Sequence, residues 1–128
     1  MSLRRVPENY EVTDIPNRFR RQFNLWVGRL NQTQIRNIEE HLNRMLDEVA
    51  ALPARRRYCN ASWLPGDDWR GTPLQDIYAV ACDENEEQAG WCYGLMLMRA
   101  VINRTGEDWC CYKDYDSENI TGTFYYLP

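Results

Sequence analysis

The segment "DENEEQAGWCYGLMLMRAVI", Asp83 to Ile102, decides how this chain folds. Asp83 reads as a helix N-cap with Glu86 three residues on, the spacing of a capping box. Glu84 and Glu87 then complement the positive end of the helix dipole. From Ala89 to Ile102 the only strongly polar residue is Arg99, and a helix apolar around its whole circumference must be buried on most sides. Gly90 and Gly94, one turn apart, strip side chains from one face so that another element can approach closely. The apolar run stops at Arg99, well short of the ~20 residues of a membrane span. The glycine pair is therefore a packing device of a core helix and not a membrane dimer motif. Gly106 is expected to end the helix.

Upstream, two amphipathic stripes stand ready to flank this helix. The first helix is expected to start near Asp14, with Pro16 in its first turn; Ile15, Phe19, Phe23, Trp26, Val27 and Leu30 follow helical spacing. "NQT" at 31–33 breaks the stripe, and Thr33 is the expected cap of the next. Ile35, Ile38, Leu42, Met45, Leu46, Val49 and Leu52 form the second stripe, which ends at Pro53. Two such helices joined by a short polar link read as an antiparallel helical hairpin.

The remaining segments read as strands and turns. "ARRRYCNASWL" (54–64) carries a strand candidate from Arg57 to Leu64, and Thr72-Pro73 opens a short helix through "PLQDIYAVAC". "EDWCCYKDY" (107–115) and "ITGTFYYL" (120–127), separated by the turn-prone "DSEN", read as a C-terminal hairpin. Strand alternation places Trp109, Cys111 and Lys113 on one face and Cys110 and Tyr112 on the other. In the partner strand Phe124 and Tyr126 oppose Tyr125 and Leu127. Both faces of the hairpin are thus apolar or aromatic; one can rest on the central helix. The other needs the helical hairpin, a partner or a ligand to cover it.

The expected fold is α+β: a helical hairpin, a short helix and a buried central helix packed on a small antiparallel sheet of about three strands. The 128 residues read as a single domain. Residues 1–12 form an extended N-terminal arm, 14–52 the helical hairpin, and 57–128 the strand, helices and C-terminal hairpin.

Charge and cysteines narrow the function classes. Residues 1–57 hold 11 arginines and 7 acids, while residues 58–128 hold 4 bases and 12 acids. The overall net charge of −4 argues against a nucleic-acid binder, which needs a concentrated basic face. No apolar leader is visible, so a cytoplasmic location is expected, with no membrane association. In that compartment the four Asn-X-Ser/Thr triplets at Asn31, Asn60, Asn103 and Asn119 go unglycosylated, and the five cysteines are expected to be free thiols. No Cys-x-x-Cys pair occurs, and the one histidine, His41, lies far from the cysteines. No metal and no cofactor are expected. Nothing in the sequence supports catalysis: there is no phosphate loop and no nucleophile elbow, and His41 reads as a solvated side chain.

The stretch "WLPGDDWRGTP" (63–73) is the best candidate site. Its plain reading is a strand end, a turn and a capped short helix. Its functional reading is an aromatic-walled, acid-lined cleft of Trp63, Asp67, Asp68, Trp69 and Arg70, joined by Tyr112 and Tyr125 from the hairpin. Tryptophan faces attract cations and the aspartates supply counter-charge, so such a cleft would take a small cationic or aromatic ligand. Trp, Tyr and Arg are also the residues of protein-binding hot spots. The favoured expectation is a non-enzymatic binding protein that engages a protein partner, or forms a homo-oligomer, through an aromatic surface. The small-molecule cleft is the alternative, and an enzyme comes third.

Overall fold

A computed structural model describes residues 3–60, 69–113 and 123–128. Its chain order is β1 (Leu3–Arg5), β2 (Tyr10–Glu11), α1 (Asn17–Gly28), α2 (Gln32–Ala50), β3 (Tyr58–Asn60), α3 (Glu86–Ile102), β4 (Trp109–Lys113) and β5 (Thr123–Tyr126). A 3₁₀ turn at Ala54–Arg56 precedes β3, and a π-helical turn at Ile77–Ala81 precedes α3.

α3 is the core. Ala89, Cys92, Tyr93, Gly94, Leu95, Met96, Leu97, Met98, Ala100 and Val101 are all buried along it. Its cap is Asn85, two residues later than the sequence suggests, with the Asn85 side chain accepting from the Gln88 N–H at 3.0 Å. Asp83 and Glu84 instead take left-handed backbone, φ 51° and 61°. They turn the chain from the π-helical turn into α3, and the Glu84 N–H closes back on the Tyr78 carbonyl at 2.8 Å. The helix stops at Asn103, before Gly106. Arg99, the one strongly polar side chain between Ala89 and Ile102, places its guanidinium 4.9 Å from the centre of the Phe23 ring and 3.7 Å from the Glu39 carboxylate.

α1 and α2 have the expected apolar stripes, with Phe23 and Trp26 buried on one and Ile38, Leu42, Leu46 and Val49 on the other. Pro16 is the cap of α1 and lies outside the helix, because its extended ψ of 137° precludes a first helical turn there. Asn31, not Thr33, caps α2: Asn31 and Gln34 exchange side-chain-to-backbone bonds at 2.8 and 2.9 Å, a complete capping box. The helical hairpin is more open than the periodicity implies. α2 packs mainly on α3, α1 mainly on the π-helical turn and then on α3, and the two touch each other less. The Arg29 guanidinium donates to the Ala81 carbonyl at 2.9 Å, and the Trp26 indole donates to Gln88 at 3.3 Å. Arg104, just past α3, reaches Asp47 on α2 at 2.7 Å.

The fold is α+β, but the sheet corrects the sequence reading. It has five strands in the order β2-β1-β4-β5-β3, and it is mixed. The arm expected over 1–12 supplies two strands: β1 lies parallel to β4 and antiparallel to β2. These pieces are three and two residues long, too short to show alternation; pairing with β4 and with each other, and burial of Leu3 beside Trp109, hold them in place. The C-terminal hairpin pairs antiparallel, and β3 pairs antiparallel with β5. The expected extension of β3 to Leu64 and the turns at Pro65-Gly66 and "DSEN" lie outside the described residues. Leu3, Trp109, Cys111, Tyr125 and Cys59 form the inner face and share one core with α1, α2 and α3. The other face has no described helix against it.

Candidate binding surface

The registers fix what the outer face presents. Arg4 sits opposite Glu11 on one side and Cys110 on the other; Cys110 sits opposite Tyr126, and Tyr126 opposite Tyr58. One row therefore crosses all five strands: Glu11, Arg4, Cys110, Tyr126, Tyr58. A second row, one pleat along, runs Tyr112, Phe124 and Asn60, the last of them buried. Tyr58 is 53% exposed and Tyr112 39% exposed, while Phe124, Tyr126 and Cys110 are half-buried. The Tyr112 and Phe124 rings lie nearly parallel, 5.1 Å between centres, and Tyr126 tilts against Tyr112 at 6.1 Å. Partial burial and a hydrogen bond with Cys110 hold the Tyr126 hydroxyl proton above its ordinary pKa. Such rings are rigid and amphipathic, apolar on the body and polar at the tip.

The candidate site read from the sequence is divided by this arrangement. Trp63, Asp67 and Asp68 lie outside the described residues. Trp69 is half-buried and packs against Tyr93 of α3 with ring centres 5.5 Å apart; Arg70 beside it is exposed. Tyr125 is fully buried on the inner face, whereas Tyr112 points outward. The sheet runs between these two tyrosines, so they cannot line one cleft. Sequence reasoning missed Arg4 and Tyr58, because only the register brings the N-terminal and 58–60 strands beside the hairpin. It did place Cys110 and Tyr112 on one face and Phe124 and Tyr126 on one face, but alternation alone does not say that these two faces coincide.

Behind the sheet lies a second polar feature. The hydroxyls of Tyr93, Thr123 and Tyr125 are buried without hydrogen-bond partners among the described residues, as is Arg5 Nε. Arg5 Nε stands 3.4 Å from the Glu8 carboxylate, an ion pair without hydrogen-bond alignment. Burial raises both phenol pKa values, and it pushes the Cys59 thiol up to about 12 and the Cys111 thiol up to about 11. These groups are neutral at physiological pH and are poor nucleophiles. Cys92 is likewise raised, first by its hydrogen bond with Cys82 and then by burial. His41 on α2 is lowered, first by burial and then by the neighbouring Arg44 charge. Among the described residues no three His, Cys, Asp or Glu side chains converge as a metal site would require, and no helix is long and apolar enough to cross a membrane.

No protein-family model matches the sequence, and comparison with curated proteins and with solved structures gives no match either.

Proposed function

We propose that this chain is a non-enzymatic binding protein whose working surface is the outer face of its sheet, and that the partner is a protein. One observation carries this reading. Tyr58 and Tyr112 stand exposed on a sheet face that also carries Phe124, Tyr126 and Arg4, with the helices packed on the opposite side. Tyr and Arg give much contact area for little conformational entropy, which is why they concentrate at binding hot spots. Ring geometry favours a protein over the other occupants. Tyr112 and Phe124 face each other. That leaves no slot between them for a flat ligand, and one face of each ring is already taken from any stacked nucleobase. A partner meets ring edges, hydroxyls and a guanidinium, the chemistry that another protein's polar and aromatic side chains satisfy.

Photocrosslinking tests this reading. A photoreactive phenylalanine analogue replaces Tyr112, or in the control Leu25, which is exposed on α1. Irradiation in the source cells should give a discrete protein adduct from position 112, abolished by Tyr58→Ser, and none from position 25. No adduct at 112, or the same adducts from both positions, overturns it.

A second reading rests on the buried hydroxyls. Unpaired hydroxyls in a core are costly, so Tyr93, Thr123 and Tyr125, without partners among the described residues, would each gain from a polar group of a bound small molecule. Native mass spectrometry of the purified chain should then show a retained mass that disappears in the Tyr93→Phe, Tyr125→Phe double variant. An unliganded mass for the unaltered protein removes this reading.

A further inference from the structure

We infer that Cys82 and Cys92 are a redox-sensitive lock: a hydroperoxide converts the pair to a reversible disulfide that ties the π-helical turn to the core helix. Cys82 closes that turn and Cys92 is buried in α3. Their thiols are in hydrogen-bond contact, with the Cys92 S–H donating to the Cys82 sulfur. The other three cysteines have no such arrangement among themselves. Cys59 and Cys111 both sit opposite Tyr125, so two strand spacings, about 10 Å, separate their backbones. A disulfide spans Cα atoms no more than about 7 Å apart. Cys110 points to the outer face, away from both.

The backbone holds the contact in place. The Cys82 N–H donates to the Ile77 carbonyl at 3.0 Å, and the Cys82 carbonyl accepts from the Asn85 N–H at 3.0 Å. Between them Asp83 and Glu84 reverse the chain in left-handed conformations, so that α3 returns past Cys82. The Arg29 guanidinium, 2.9 Å from the Ala81 carbonyl, stands on the residue next to Cys82. A positive charge there favours a thiolate and disfavours a soft metal cation held between the two sulfurs. The Cys92 hydrogen bond holds the Cys82 thiol below its ordinary pKa against the opposing effect of burial, and the Arg29 charge adds to it. Cys82 is thus the attacking sulfur and Cys92 the resolving one.

Burial selects the oxidant. Both thiols are buried, which excludes a bulky disulfide and admits hydrogen peroxide, little larger than water. Cys82 directly precedes the exposed run from Asp83 to Glu87, whereas Cys92 is enclosed in α3. Cys82 gives up its proton, and its sulfur attacks one peroxide oxygen. The O–O bond breaks, leaving a sulfenic acid on Cys82 and a hydroxide that takes up the proton to become water. The Cys92 sulfur then attacks the Cys82 sulfur. The S–O bond breaks, and the departing oxygen leaves as a second water with the Cys92 proton. The two thiols lose two electrons in all, and the peroxide gains them.

The full chain treated with a small excess of hydrogen peroxide should lose two hydrogens in intact mass. Non-reducing peptide mapping should join the peptides that hold Cys82 and Cys92, and a dithiol reductant should separate them. The oxidised chain should melt several degrees higher than the reduced one, because the cross-link restricts the unfolded chain. In Cys92→Ala the reaction should stop at the sulfenic acid, trapped by dimedone on Cys82. Absence of a Cys82–Cys92 link in the unaltered chain, or oxidation confined to Cys110, overturns the inference, whether or not the variant folds. A link that leaves the melting midpoint unchanged overturns the lock.

Discussion

Tyr112 of β4 and Tyr125 of β5 sit one residue out of register on neighbouring strands and point to opposite sides of the sheet, one 39% exposed and the other fully buried. That offset separates two environments of unlike chemistry. Outside are ring edges, a guanidinium and a half-exposed thiol; inside are hydroxyls and thiols cut off from water. The first suits reversible contact with another protein, and the second bears on stability.

The inner tyrosines give a prediction of sign. Tyr125 has a buried hydroxyl with no hydrogen-bond partner among the described residues, and such a group costs about 1–3 kcal/mol. Tyr125→Phe removes the oxygen and keeps the ring, so it should raise stability by about 1 kcal/mol in denaturant titration. A loss of similar size would show that the hydroxyl has a partner in solution, and would favour the small-molecule reading.

The thiols give a prediction in pH. Cys59 and Cys111 are held protonated by burial, with pKa values of about 12 and about 11 against an ordinary 9.0. Their folded pKa is raised, so below pH 9 neither state loses a proton and stability is unaffected. Above pH 9 the unfolded chain ionises first, and stability falls as pH rises toward 11–12. Urea melts between pH 7 and 10.5 should show a flat region followed by a decline, and the decline should shrink in a Cys59→Ala, Cys111→Ala variant. An unchanged slope in that variant would contradict the burial of these thiols.

The central helix gives a prediction of packing. Gly94 is buried in α3 between the buried Tyr93 and Leu95. Gly94→Leu adds a branched side chain there, and overpacking of this kind costs typically about 1–3 kcal/mol. The thermal midpoint should drop by several degrees. An unchanged midpoint would mean that space exists beside Gly94.

Much of this architecture was legible before any coordinates. The all-round apolar composition of Ala89–Ile102 marked α3 as the core, and helical spacing marked the Phe23/Trp26 and Ile38/Leu42 stripes, because a buried face writes itself directly into periodicity. Caps were less legible: Asn31 and Asn85 displaced Thr33 and Asp83, since several capping residues stood close together and local backbone chose among them. The N-terminal strands were illegible for a plainer reason. Leu3–Arg5 and Tyr10–Glu11 are held by pairing with β4 and with each other, a long-range relationship that no three-residue pattern encodes. The candidate surface suffered likewise. Tyr112, Phe124 and Tyr126 could be sorted by alternation, yet Arg4 and Tyr58 joined them only through register.

Hydroxyl-radical footprinting of the chain in source-cell extract and in buffer tests the central claim, that the outer sheet face is the working surface, most directly. From buffer to extract, Tyr58, Tyr112 and Tyr126 should become protected. Leu25 on α1 and Trp91 on α3, both exposed away from that face, should keep their reactivity. Protection of Leu25 or Trp91 with the tyrosines unchanged would contradict the account.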